Sequence, residues 1–548
     1  MEKYQGKLNY ITAFIIPFVP MFYLYSKNFE YIAVSHVALL AILLGIFSLF
    51  VFFIVAKLSK SSFTGVVCCI AIWIVFFSYG GLYNSSGLYH RSLLLICAVI
   101  VAGITLFAFL LDRKKGLKAI CSFFTIVVAV MLVWNAITAF TAIPKPDSSQ
   151  VPYKVDFSID ETLPTPNIYW IHADGMLGFE AVEKYYGDSQ EEFAMALEER
   201  GFVINRYAKY EAAHTTRTAI PVLMSPDAYD SYLFDLLLIK REEAAAKGNF
   251  VDRSFPTADI QRMLEVRRNL EIIKAFEQRG YFTAALGGRF TIPPITDYYA
   301  DFSRRDELPV LSTEQLNNDE IARWITIYDQ ALELVTLMNE TSMVSPVPDA
   351  VKNRMIDVLL SGSEGAEWKA FDSPVDPAEY IPSTNIRSKE TAPLLATDEI
   401  MRLPSPRFAF VCVYTTHFRF EIDEYGISHE YNRDYAYNYY PQHCFATKYL
   451  INYTDFILER DPEAVIIIQG DHGLHGMSAN NIMGDLSISD EEDVYDLWNC
   501  VMSAVRVPDE YGKLEEPLNP VNISRYLVNS FVGENYEYRL PEDSQGLY

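Results

Sequence analysis

Three residues able to bind a metal or move a proton fall together in Ala464–Gly476, AVIIIQGDHGLHG: Asp471, His472 and His475. A carboxylate beside an imidazole can ligate one divalent cation, since oxygen and nitrogen donors both suit such ions. A second carboxylate, Asp174, ends the stretch NIYWIHAD and is followed by Gly175. In His214–Ser225, HTTRTAIPVLMS, the residues Thr215, Thr216, Arg217 and Thr218 stand just before an apolar, helix-like run. A hydroxyl at a helix N-terminus lies at the positive end of the dipole, beside N–H groups that hold anions. A cation held by Asp174, Asp471 and His472 would lower the pKa of that hydroxyl and make it a nucleophile at neutral pH. A further apolar stretch, FAFVCVY, leads into Thr415, Thr416 and His417.

These groups need elements that bring them to one place. Val465–Ile468 is β-branched throughout and reads as a strand buried on both faces. Gly470 and Gly473 free the backbone to turn at its C-terminal end, the edge at which open α/β sheets place their ligand crevices. Asn167–Asp174, Tyr281–Leu286 and Phe408–Tyr414 read as further strands, the second running into Gly287-Gly288-Arg289. Phe179–Arg200 has helical spacing with Gly201 as its C-cap, and Ile272–Arg279 also reads as helix. This alternation predicts an α/β domain with a mostly parallel sheet sandwiched by helices. Residues 229–267 and 317–403 carry no legible motif and read as insertions over the catalytic edge. No internal repeat or low-complexity tract is present.

The chain of 548 residues is 50% hydrophobic, with a slightly positive mean hydropathy. Its charge is divided. Residues 1–142 hold ten Lys/Arg and three Asp/Glu, whereas 143–548 hold 35 basic and 67 acidic residues. So acidic a domain repels nucleic acid, which disfavours a DNA or RNA function. Five apolar runs in 1–142 are each about long enough to cross a hydrocarbon core of roughly 30 Å: Leu8–Tyr25, Ile32–Ala56, Phe63–Tyr83, Ser92–Leu111 and Ala119–Ala142. They repeat, and no small-residue cleavage site follows the first, so the start does not read as a cleavable signal peptide. Lys3, Lys7, Lys57, Lys60, Arg113, Lys114, Lys115 and Lys118 fall on one side, against Lys27 and Arg91 on the other. The positive-inside rule then predicts a multi-pass protein of the cell membrane, with a cytoplasmic N-terminus and an extracytoplasmic C-terminal domain. Residues 143–166 are polar and proline-bearing, a linker or strap, and 167–548 form the outer domain. Cys68, Cys69, Cys97 and Cys121 lie in the spans and Cys412, Cys444 and Cys500 outside, which implies no disulfide framework.

In order, the spans, PNIYWIHADG, the Thr-bearing helix start, TTHF and GDHG resemble the membrane-anchored sulfatase-like members of the alkaline phosphatase superfamily. Lipoteichoic acid synthases and lipid A phosphoethanolamine transferases are the well-known examples. The resemblance runs the length of the chain, with specific motifs over some forty residues, and Pro520-Val521-Asn522, Ser524-Arg525 and LPEDS add to it. It implies that Asp174, Asp471, His472 and Thr218 hold one divalent ion, Mn²⁺, Mg²⁺ or Zn²⁺. Thr218 best matches the nucleophile, with Thr215 and Thr216 as rivals. His417 matches a substrate-contacting histidine, His475 is a second candidate acid, and Arg217 could steady a phosphate. The implied reaction moves a phospholipid head group, of phosphoglycerol or phosphoethanolamine type, onto an envelope glycan or lipid through a phospho-threonine. A phosphodiesterase or sulfatase-like hydrolase using water, and a non-catalytic envelope-assembly protein, are the other classes. The sulfatase signature Cys-x-Pro-Ser-Arg is absent, which disfavours formylglycine chemistry. GGRFTIPPITDYY lacks the His and Trp-x-Arg that bind glycerol phosphate in lipoteichoic acid synthases. The extra ligands for two zinc ions of alkaline phosphatases, and the paired cysteines of phosphoethanolamine transferases, are not evident either.

Overall fold

The structure is a computed structural model. It describes residues 2–28, 32, 34–86, 89–112, 118–142, 154–210, 216–230, 269–287, 296–301, 310–312, 331, 334–335, 337–338, 342–343, 367–369, 371–385, 387–417, 420–428, 436–474, 479–488 and 491–539. The chain divides into two compact units, one of residues 1–147 and 323–364, the other of 148–322 and 365–548.

The first unit is helical: α1 (Glu2–Ile15), α2 (Phe18–Asn28), α3 (Val34–Ser59), α4 (Ser62–Ser86), α5 (His90–Asp112) and α6 (Lys118–Ala142). Pro17 separates α1 from α2, because proline offers no N–H and crowds the preceding turn. Among the described residues four stretches are long and apolar enough to cross a membrane: Leu8–Ser26, Val34–Ser59, Ser62–Tyr83 and His90–Asp112. The fifth expected span falls short of that count, since the apolar stretch described in α6 is only Thr125–Thr138. Large apolar side chains face outward along α3 and α5, among them Phe50, Leu95, Val99 and Phe107, each more than half exposed. A water-facing surface would not carry such a band, and lipid tails would cover it. Polar contacts join the helices inside: the Ser48 hydroxyl donates to the Ala13 carbonyl at 2.6 Å and accepts from Trp73 Nε1 at 3.0 Å. In an apolar medium such bonds act as glue between close-packed helices. Met343 N donates to Phe76 O at 2.9 Å, tying the later segment to α4.

The second unit is built on a sheet of nine strands in the order β2-β9-β8-β1-β7-β3-β4-β5-β6. They are β1 (Ile168–Ala173), β2 (Phe202–Ile204), β3 (Phe282–Gly287), β4 (Tyr298–Asp301), β5 (Val310–Ser312), β6 (Glu367–Lys369), β7 (Arg407–Val413), β8 (Val465–Gln469) and β9 (Ser503–Arg506). The central block β8-β1-β7-β3-β4 is parallel, while β2, β9, β5 and β6 pair antiparallel at the two flanks. The sheet is therefore mixed rather than mostly parallel. Its flanking strands are three or four residues long and carry little periodic signal.

Helices cover both faces. Tyr169, Ile171 and Ala173 of β1 join a buried cluster with Phe193 and Leu197 of one helix, Leu394 and Ile400 of a second, and Phe445, Tyr449 and Tyr453 of a third. These helices are Glu191–Glu199, Ser388–Met401 and Ala436–Arg460. On the opposite face, Phe276 of the helix Glu271–Gln278 stacks on Phe408 with centroids 4.8 Å apart. Each large apolar side chain buried in these layers contributes roughly 1.5–3 kcal/mol. The expected helix over Phe179–Arg200 is two, Phe179–Tyr186 and Glu191–Glu199, because Gly187 caps the first in the left-handed conformation. Of the linker, the part from Lys154 onward lies along this unit: Lys154 N donates to Glu271 Oε1, Lys154 Nζ pairs with Glu534, and Asp160 N bonds Val532 O.

Candidate metal centre

The register of the three central strands brings the chemistry to one edge. Ala173 pairs with Val413 and His172 with Gln469, so β1, β7 and β8 end level with one another. The residues that follow them, Asp174, Thr415 to His417 and Asp471-His472, emerge side by side. Asp174 is held by its N–H to Val413 O at 3.0 Å, and its carbonyl accepts from the Thr416 hydroxyl at 2.7 Å. Gly175 turns the chain at φ +70°, a left-handed conformation that favours glycine. Its N–H donates to Asp471 Oδ1 at 3.2 Å, across 296 residues of sequence. Tyr439 braces the same turn, its hydroxyl accepting from Leu177 N at 2.8 Å and donating to Gly175 O at 3.2 Å.

Asp471 is fully buried and accepts through Oδ1 from His472 N at 3.0 Å. Its Oδ2 faces two imidazole nitrogens, His472 Nε2 at 3.5 Å and His172 Nε2 at 3.6 Å, and His472 Nε2 lies 3.7 Å from Asp174 Oδ1. These separations exceed an N–H···O hydrogen bond. The two His472 separations, 3.5 and 3.7 Å, lie close to the edges, about 3.3–3.6 Å long, of a tetrahedron of ligands around an ion bonded at about 2.0–2.2 Å. Asp174, Asp471 and His472 offer ligand atoms all within 4.8 Å of one another, all buried. The donor set fits a divalent ion. His472 Nδ1 is bonded to Gly473 O at 2.9 Å, which leaves Nε2 toward the carboxylates.

The electrostatics agree. Burial works against ionisation of Asp471, but the His472 and His172 imidazoles, the Gly175 N–H and the Thr216 hydroxyl outweigh it and hold the carboxyl below its ordinary range. Burial also pushes His172 below the usual imidazole value, with Asp471 opposing, so it is neutral and has a lone pair to give.

The threonines separate by position. The helix Thr216–Met224 starts at Thr216, whose hydroxyl is among the groups that hold the Asp471 carboxyl down. The side chains of Thr218 and Arg217 lie outside the described residues, as do Thr215 and His475. His417 is partly buried, and its Cα is 3.8 Å from where a Cβ on Gly175 would stand. Sequence reasoning did not single out His172, although its signal was available: a strand alternates faces, so a histidine two before Asp174 must share its side.

Gly473 differs from expectation in its reason. A Cβ there would sit 2.0 Å from Leu497 O and 2.9 Å from Leu177 Cδ2, so close approach, rather than freedom to turn, demands glycine.

No protein-family model matches the chain, and no curated protein does. Solved structures similar to it include the integral membrane lipooligosaccharide phosphoethanolamine transferase A of Neisseria meningitidis, at 10% identity and a TM-score of 0.35, over 97% of this chain and 92% of that one. The lipoteichoic acid synthase LtaP of Listeria monocytogenes is similar at 12% identity and 0.33, over 71% and 77%. The C-terminal periplasmic domain of EptC from Escherichia coli is similar at 10% and 0.33, over 72% and 90%. At such identities the activity of this chain has to be read from its own residues.

Proposed function

We propose that the protein is a membrane-anchored, metal-dependent transferase that moves a phospholipid head group through a phospho-threonine. The observation carrying this reading is the meeting of Asp174, Asp471 and His472 at one sheet edge, and Thr216, at a helix start and acting on Asp471, is the hydroxyl we assign as nucleophile. Asp174, Asp471, His472 and Thr216 would hold one divalent ion, manganese, magnesium or zinc. Bound there, the ion would supply positive charge that lowers the hydroxyl pKa and neutralises the phosphate.

The chain's own residues divide the remaining work. Thr216 gives up its proton to solvent, its Oγ1 bonds phosphorus, and the bond from phosphorus to the lipid glycerol oxygen breaks. His417, beside the Asp174 turn, gives that oxygen a proton and leaves diacylglycerol. In the second half an acceptor hydroxyl on an envelope glycan or lipid returns a proton to His417. Its oxygen takes the phosphoryl group, and Thr216 regains a proton from solvent. Backbone N–H groups at the first turn of the helix face the anion. An extracytoplasmic catalytic unit on a membrane anchor meets its donor at the bilayer surface, which favours a lipid.

The test is the intact mass of the full chain in detergent after incubation with mixed phospholipids and Mn²⁺ or Zn²⁺. A covalent increment is expected, equal in mass to the head-group phosphate. It should be lost in Thr216→Ala and retained in Thr218→Ala. Loss in Thr218→Ala alone would move the nucleophile there. Head-group release with no increment in any variant would replace transfer by hydrolysis, and no increment with no bound metal would refute the enzyme reading.

A further inference from the structure

A second group of ligand atoms lies directly behind the first. His172, Asp174 and Cys412 are all buried, and one ligand atom from each falls within 4.8 Å of the others. Two simple rules of the sheet bring them together. Alternation along β1 puts His172 on the side of Asp174, and the parallel register sets Cys412 of β7 opposite His172. Phe410, two residues earlier on β7, stacks on the imidazole with centroids 5.3 Å apart and fixes its plane.

His172 is the informative member. It is fully buried, and among the described residues neither ring nitrogen has a hydrogen-bond partner. Buried imidazoles are almost always satisfied on at least one nitrogen, and an exception points to an ion or water that belongs there. Asp471 Oδ2 stands 3.6 Å from His172 Nε2, too far for a hydrogen bond and right for two ligands of one ion.

We propose that His172, Cys412 and Asp174 form a second metal site that takes zinc in preference to magnesium or manganese, with Asp174 shared with the first site and Asp471 as fourth neighbour. Thiolate and imidazole donors select zinc, while magnesium and manganese favour oxygen. Four protein ligands with no open position describe a site that holds structure rather than one that binds substrate. Zinc would bond the Cys412 sulfur as the thiol proton leaves to solvent, so the charge of the trio falls as that of the ion arrives. Such an ion would clamp the ends of β1 and β7 and hold Asp174 for the first centre. The inference rests on the proposed function only in that Asp174 and Asp471 serve both sites.

Metal content and zinc-edge X-ray absorption of the full chain, loaded with zinc in detergent and dialysed, test it without reference to activity. Two zinc ions per chain and a sulfur neighbour at about 2.3 Å are expected. Cys412→Ser should drop the content to one and remove the sulfur neighbour. His472→Gln should also drop it to one but keep the sulfur. A wild-type spectrum showing only nitrogen and oxygen neighbours would overturn the second site, and needs no variant to fold. A sulfur neighbour that survives Cys412→Ser would overturn it as well, by assigning the thiolate elsewhere. If His472→Gln left both zinc content and sulfur unchanged, the first centre would fail while the second stood.

Discussion

Replacing Gly473 by alanine should disable the metal centre without touching a ligand. The added Cβ would meet Leu497 O at 2.0 Å, and real contacts of this kind do not fall under 3.0 Å, so the two strands of backbone must part by about 1 Å. Two short hydrogen bonds cross that gap, Gly473 N to Trp498 O and Leu474 N to Leu497 O, both 2.7 Å. Each is worth about 1 kcal/mol and the overpacking about 1–3 kcal/mol, which puts the loss of stability at about 3–5 kcal/mol. The functional effect follows from the bond between His472 Nδ1 and Gly473 O, which orients the imidazole. Metal–ligand distances tolerate about 0.2 Å, and loss of an orienting partner weakens metal binding about 10- to 100-fold. Titration of the detergent-solubilised chain with Mn²⁺ or Zn²⁺, together with thermal melting, measures both effects. Gly484→Ala is the control: nothing lies within 4 Å of its added Cβ, and in the helix Ala479–Leu486 it should stabilise by about 0.5–1 kcal/mol. Metal affinity in Gly473→Ala equal to that of the unmodified chain would refute the reasoning, because the close approach would then not govern His472.

Two further outcomes concern the frame around the site. Arg525 is 1% exposed and donates through both terminal nitrogens to Asp230, at 3.1 and 2.7 Å, which also accepts from Arg539. Asp230→Ala strands a buried guanidinium and should cost about 3–5 kcal/mol. Arg539→Ala, at a more exposed position, should cost far less, and equal melting of the two variants would contradict this. His443 bonds Tyr439 and Gln190, and burial holds its pKa down at about 4 against an ordinary 6.5. The unfolded chain then binds more protons between those values, so this contribution is complete above pH 6.5 and is lost as the pH falls toward 4. At about 1.36 kcal/mol per pH unit it amounts to on the order of 3 kcal/mol. His443→Gln should flatten that part of the stability–pH curve, and an unchanged slope would show that other groups cause it.

How far the protein could be read in advance differs from element to element, for physical reasons. Val465–Ile468, NIYWIHAD and FAFVCVY announce buried strands because a central parallel strand is apolar on both faces, and they become β8, β1 and β7. The apolar runs of the first 142 residues announce membrane helices because length and hydropathy are local properties, although the count among the described residues is four. The short antiparallel strands β2, β5, β6 and β9 were not legible. Three or four residues hold no period, and their pairing depends on partners elsewhere in the chain.

Asp174, Asp471 and His472 could be named as a candidate ligand set from their types and their places at strand ends. Their meeting could not be derived from spacing, because strand order β8-β1-β7 joins positions almost three hundred residues apart. The choice among Thr215, Thr216 and Thr218 is not legible in the sequence either, since it depends on which hydroxyl stands beside the ligand carboxylates, a matter of tertiary contact. The pairing of His172 with Cys412 also needed the fold, since it exists only once β1 and β7 are in register. Residue type and local pattern determine which chemistry is available. Which groups share a site is decided by long-range pairing, and that is a property of the assembled sheet.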